Sequence, residues 1–368
     1  MRRNIIVGMV LIFIIMLAVV YYFFLGGSDK LFNSGEKEEE PIVSTEKPAE
    51  RPGEQQKLLT LSKNTAISPV LSLDQTSVWY FDIFGELYVN SVFGDSEKAF
   101  GLISKKPLDR AYWPQTGNDF IIDPEEGDLR GYEFYSAKNK KYLPLPINME
   151  EIAWLPIGNK IVYVWRRGDG GLELKSSNPD GSDYTKITDL SGNYEIIPSP
   201  RGDIVLLVEP YLATGNKVLS VNLISGVMTE LLDRGGNIGA KLSPNGTQLL
   251  FSRVNEETKL TELWFLDFTT GNYTNLGILT VPDKIVWDRT STGFYYGLPQ
   301  STVSTDPEIL SRTNDALYYY NISAGTQSEI YARQTTQIDY REMMVLSDES
   351  KLLFINRQDE KLYRLNLK

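Results

Sequence analysis

Four acidic residues, Asp109, Glu151, Glu195 and Asp283, each stand five positions ahead of a residue that starts chain reversals: Pro114, Pro156, Pro200 and Asp288. If the segments around them are alike, the four carboxylates reach equivalent places and can converge. Converging carboxylates attract a cation such as calcium, or a basic peptide, and their crowding raises some of their pKa values. The alternative for each is a solvated loop acid. Arg166 and Arg167 in "WRRGDGG" (165–171) are cations that could pair with such acids or stay in water. Other chemistries are closed, because the chain has no cysteine and no histidine. That removes disulfides, Cys/His zinc sites and Ser-His or Cys-His nucleophiles.

The shared offset comes from a repeat. "SLDQTSVWYF", "WPQTGNDFII", "LPIGNKIVYV", "SPRGDIVLLV", "LSPNGTQLLFS", "WDRTSTGFYY" and "LSDESKLLFI" align on Asp74, Pro114, Pro156, Pro200, Pro244, Asp288 and Asp348, at spacings of 40, 42, 44, 44, 44 and 60. In each, a turn leads into a short apolar run that reads as a strand buried on both faces. A partly alternating strand follows, as in "ELYVNS" (86–91) or "ELWFLDF" (262–268), then a glycine turn and a weaker strand. Four antiparallel strands per unit, seven units in all, predict an all-β, seven-bladed β-propeller over residues 57–368. No fourth strand follows "KLYRLNL" (361–367) in the seventh unit. "KLLTLS", Lys57–Ser62, lies at the right distance before the first unit to supply it and close the ring.

"LSPNGTQLLFS", "PSPRGDIVLLV" and "SSNPDGSDYTKITDL" resemble the repeat of TolB-like propellers, which runs Ser-Pro-Asp-Gly, an apolar strand, a second strand, Asp-Gly and Leu-Thr. Units one, two and seven lack the Pro-x-Gly turn, and unit two matches least. The resemblance implies the propeller fold and an envelope scaffold that binds other proteins. Similar blades also gate peptidases and form some lyases and dehydrogenases.

Ahead of the repeats, Ile5–Leu25 is 21 residues without a charge. As a helix it is about 32 Å long, enough for a hydrocarbon layer roughly 30 Å thick. Arg2 and Arg3 precede it, so residues 1–25 read as a cytoplasmic tip and a single-pass signal anchor, with everything beyond extracytoplasmic, periplasmic or extracellular. A cleaved signal peptide is the rival, against which stand the length of the run and the lack of an A-x-A site. Residues 26–56, with "EKEEE" and three prolines, read as a disordered tether. The formal charge of -11 argues against nucleic acid as a partner.

Unit six carries two insertions, "LPQSTVSTDPEILSR" (298–312) and one that includes "ARQTTQIDY" (332–340). In a propeller both fall on the face where the loops after second and fourth strands open, which makes Asp306, Glu308 and Arg312 candidate binding residues. Neutral insertion is the alternative. "DPEEGD" and "NPDGSD" read as turns rather than cation loops. The leading expectation is an anchored interaction module for an envelope protein or peptide, without a cofactor unless calcium sits at the acids. The alternatives are a carboxylate-dependent hydrolase or lyase on peptide or polysaccharide, and a cation or small-ligand sensor.

Overall fold

The computed structural model describes residues 57–94, 96–104, 107–124, 131–210, 216–233, 235–300 and 313–368. The apolar run and the tether lie outside them, and no helix among the described residues is long and apolar enough to cross a membrane. The strands form seven four-stranded antiparallel sheets. Their first strands are Ile67–Leu71, Leu108–Tyr112, Met149–Trp154, Glu195–Pro198, Asn237–Leu242, Ile285–Trp287 and Tyr340–Val345. The first strands of blades one and two, three and four, six and seven, and seven and one touch, and that of blade five touches the helical turn ahead of blade six, so the first strands surround a central channel.

The apolar runs form second strands because both of their faces have somewhere to go. Alternate side chains of a strand point oppositely. In Ile161–Arg166, Ile161 and Tyr163 pack against blade two while Val162 and Val164 pack against blade four. In Lys351–Asn356, Leu352 and Phe354 face blade six while Leu353 and Ile355 face blade one. The core is accordingly seven clusters, one between each pair of neighbouring blades, and each blade is stable only as a wedge between two others. Each fully buried Leu, Val or Ile contributes about 1.5–3 kcal/mol relative to exposure, so the clusters dominate the stability.

The recurrent turn is a tight reversal closed by its own side chains. In Ser243–Gly246 the Gly246 amide donates to the Ser243 carbonyl at 2.8 Å, and the Asn245 carboxamide oxygen accepts from the Thr247 amide at 3.0 Å. Gly246 has φ 67°, a left-handed conformation that costs glycine little.

Ring closure follows the expected route. Leu58–Thr60 pairs antiparallel with Lys361–Asn366, Leu58 opposite Leu365 and Thr60 opposite Tyr363. Beyond the ladder, Leu61 donates to the Leu362 carbonyl at 2.8 Å, and Arg364 reaches the Phe93 carbonyl of blade one at 3.0 Å. A Cβ on Gly94, whose φ is 85°, would lie 2.3 Å from Leu59 Cδ2, so the turn after the third strand of blade one is fitted against the closing strand.

Candidate functional site at the channel mouth

Loops after second strands and the crossovers between blades open on one side of the ring, the crossover face; the recurrent turns lie on the opposite, turn face. The four acids of the sequence column do not form a carboxylate ring. Glu151 and Glu195 come together, lining a depression of about 590 Å³ between blades three and four and a smaller cavity running into the channel. Asp283, in the single helical turn Pro282–Lys284 ahead of the first strand of blade six, faces a neighbouring cavity of about 450 Å³ and pairs with Arg357 at 3.2 Å. Asp109 is exposed and lines none of these cavities; its neighbour Arg110 takes the channel position.

The pairing of first and second strands slips in five blades: between Leu108 and Arg110 in blade two, between Arg341 and Met344 in blade seven, where Glu342 has φ 49°, and likewise in blades one, three and five. A bulge adds a residue on one strand and re-aims the side chains after it. The offset counted from the turn is off by one position in blades two and seven, whereas in blade three Glu151 keeps the channel position within the bulge. The channel wall carries Arg110, Glu151, Glu195, Lys241, Asp283 and Glu342, contributed by blades two to seven, so a cation precedes each pair of acids. Confinement by surrounding protein pushes the carboxyls of Glu195 and Glu342 above the ordinary value, opposed by Arg110 for the first and by Arg341 and Arg110 for the second. It pulls the Lys241 ammonium down, opposed by Asp283 and Glu342.

Arg166 lines the depression. It forms a two-pronged pair with Glu150, in which Nη2 donates to Oε2 at 2.9 Å and Nε to Oε1. Around this pair lie Ile147, which is 61% exposed, Met149, Tyr194 and Pro210. Arg167 points elsewhere, donating to Asp169 at 3.0 Å within a surface network that includes Glu173 and Asp189. The carboxyl of Glu173 is lowered chiefly by the hydrogen bond from Lys175.

Asp306, Glu308 and Arg312 lie outside the described residues, but the stem of their loop does not. Arg333, from the second insertion of unit six, donates to the carbonyls of Leu298 and Pro299 at 2.9 Å each and of Asn314 at 3.1 Å. One guanidinium thus ties the two insertions together on the crossover face. Beneath them is a buried ionic cluster that repeat spacing does not reveal. Lys284 donates to Asp315 at 2.8 Å, to Asp339 at 2.5 Å and to Thr313 at 2.5 Å. Relative exposure is 0% for Lys284 and Asp339 and 1% for Asp315. The Asp315 carboxyl is raised by burial, which the charge and hydrogen bond of Lys284 oppose. The cluster, with its three side chains buried, ties blade six to the segment that enters blade seven.

No family model matches the chain, and no curated protein does. Solved structures do. An oligogalacturonate lyase in complex with manganese is 13% identical, with a TM-score of 0.62 over 84% of this chain and 93% of its own. An oligogalacturonate lyase from Vibrio parahaemolyticus is 10% identical, with a TM-score of 0.61 over the same shares. TolB from Acinetobacter baumannii is 11% identical, with a TM-score of 0.47 over 74% of this chain and 64% of its own. At these identities the likeness is one of fold. The propeller architecture implied by the TolB-like repeats is present. Among the described residues, no three Asp, Glu, His or Cys side chains cluster closely enough to hold a metal ion.

Proposed function

We propose that this chain is a membrane-tethered, extracytoplasmic propeller that recognises an envelope protein or peptide through its crossover face. The observation that carries the reading is the composition of the depression between blades three and four. An exposed isoleucine and a proline, with the buried Tyr194 beneath them, flank an Arg–Glu pair held in a fixed geometry. Protein-binding patches combine apolar and aromatic anchors with arginine in this way, and a few such residues carry most of the affinity. The tether supports the same reading: residues 26–56 would hold the propeller on the order of 30 Å from the bilayer, within reach of other envelope components. An enzyme acting through its carboxylates is the weaker reading, because Arg357 and Arg341 pair with two of the channel acids and Arg110 shares a cavity with the other two.

The test is capture by the full chain from an envelope extract of its own cells, compared with the Ile147→Asp/Arg166→Glu variant. The expected result is a captured protein that the variant loses while its unfolding midpoint is retained. Identical capture by both forms would refute recognition at this depression.

A further inference from the structure

The cavity of about 450 Å³ at the channel mouth has a charge opposite to that of the chain. Its wall carries Arg110, Lys241, Arg341 and Arg357 against Asp283 and Glu342, whereas the whole sequence has 37 Lys/Arg against 48 Asp/Glu. Two of the four cations are engaged with acids. Arg357 lies 3.2 Å from Asp283, and Arg341 lies 2.5 Å from Glu360 and 3.6 Å from Glu342. Arg110 and Lys241 are not. Among the described residues neither donates a hydrogen bond to a side-chain acceptor or lies in an ion pair, although Glu342 acts on both electrostatically, Asp283 on Lys241, and Glu151, Glu195 and Asp109 on Arg110.

Ser68, on the same wall, accepts from the Ala111 amide at 3.0 Å, and its own O–H has no acceptor among the described residues. Its φ of 49° lies in the left-handed region, where a serine is uncommon, so the bulge holds this hydroxyl in place at some conformational cost.

A guanidinium fork, an ammonium and a hydroxyl face one small cavity, whose own carboxylates, Asp283 and Glu342, are paired with Arg357 and Arg341. Arg110 is exposed and Lys241 and Ser68 are half-buried, so an entering anion reaches all three and gains charge-assisted bonds from the two cations. The volume falls within the range of small-molecule sites, roughly 300–1,000 Å³. We propose that the channel mouth binds a small organic carboxylate, its oxygens held by Arg110 and Lys241 with Ser68 as a third donor. The position of Lys241 fits that role: confinement works against its charge, and the nearby acids Asp283 and Glu342 are already engaged by Arg357 and Arg341. The site is separate from the depression between blades three and four, so either can fail without the other.

The experiment is calorimetric titration of the full chain, purified in mild detergent, with succinate at pH 7 and constant ionic strength set by chloride. Saturable binding of one succinate per chain is expected. Arg110→Gln and Lys241→Met should each weaken it tenfold or more, while Arg201→Gln, a charge change on the turn face, leaves it unaltered. The thermal midpoint of Lys241→Met should equal or exceed that of the parent, because the substitution removes a confined charge; this keeps loss of binding distinct from loss of fold. Absence of saturable heat, or an affinity indifferent to both channel substitutions, would overturn the site. Binding of inorganic phosphate in place of succinate would overturn the carboxylate class.

Discussion

Replacing Lys284 by Met tests whether the junction of blades six and seven depends on its buried charges. The substitution keeps most of the volume and removes the ammonium from between two carboxylates at 2.8 and 2.5 Å. Breaking a buried pair in this way costs about 3–5 kcal/mol, because the charge left behind has lost both water and partner. Two carboxylates are left here, so the upper part of that range is expected, a fall in midpoint on the order of 10 °C. The loss depends on pH with a definite sign. Burial raises the Asp315 carboxyl even with Lys284 present, and without it the shift must grow. A raised folded-state pKa means that the native protein keeps a proton the unfolded chain has released. Stability is then greatest below the unfolded aspartate value and declines as pH rises toward the folded one. Urea unfolding should therefore show a larger deficit for Lys284→Met at pH 8 than at pH 5. Adding Asp315→Asn and Asp339→Asn should restore at least half of it, since neutral partners need no counter-charge. A deficit below about 1 kcal/mol, or a triple variant no better than the single one, would refute this account of the cluster.

Two further outcomes follow from the closure and from the loop stem. Deleting residues 57–62 removes the outer strand of blade seven and the Leu59 and Leu61 packing beneath Gly94, and should sharply lower the melting temperature; an unchanged melt would show that the ring closes otherwise. Arg333→Ala should speed amide exchange at Gln300, whose N–H bonds to Asn314, while moving global stability by no more than about 1–2 kcal/mol. Unchanged exchange would mean that the guanidinium does not hold the stem.

The repeat made the architecture legible because one physical requirement recurs in every unit. A strand wedged between two blades must be apolar on both faces, as "IVYVW" and "IVLLV" are, and it must be entered by a reversal, as at Pro156 and Pro200. The same periodicity placed the closing strand at Leu58–Thr60. Site geometry was less legible. The acid column assumed an unbroken register from turn to channel, but the first strands of five blades are bulged; Arg110 stands where Asp109 was expected and Glu342 joins the wall, while Glu151 keeps its place. Lys241, two residues past the column position in blade five, follows a bulge at Gly239, so plain alternation did not mark it. The Lys284 cluster depends on three residues far apart in sequence, and no local pattern marks such a meeting.

Site-specific photo-crosslinking most directly tests the claim that the crossover face is where this chain recognises its partner. A photoreactive residue at Ile147, in the depression, is compared with one at Ile157, which is 62% exposed on the turn face. A discrete adduct with an envelope protein from position 147 and none from position 157 is the predicted result. Adducts from 157 alone would contradict the account and place recognition on the other end of the ring.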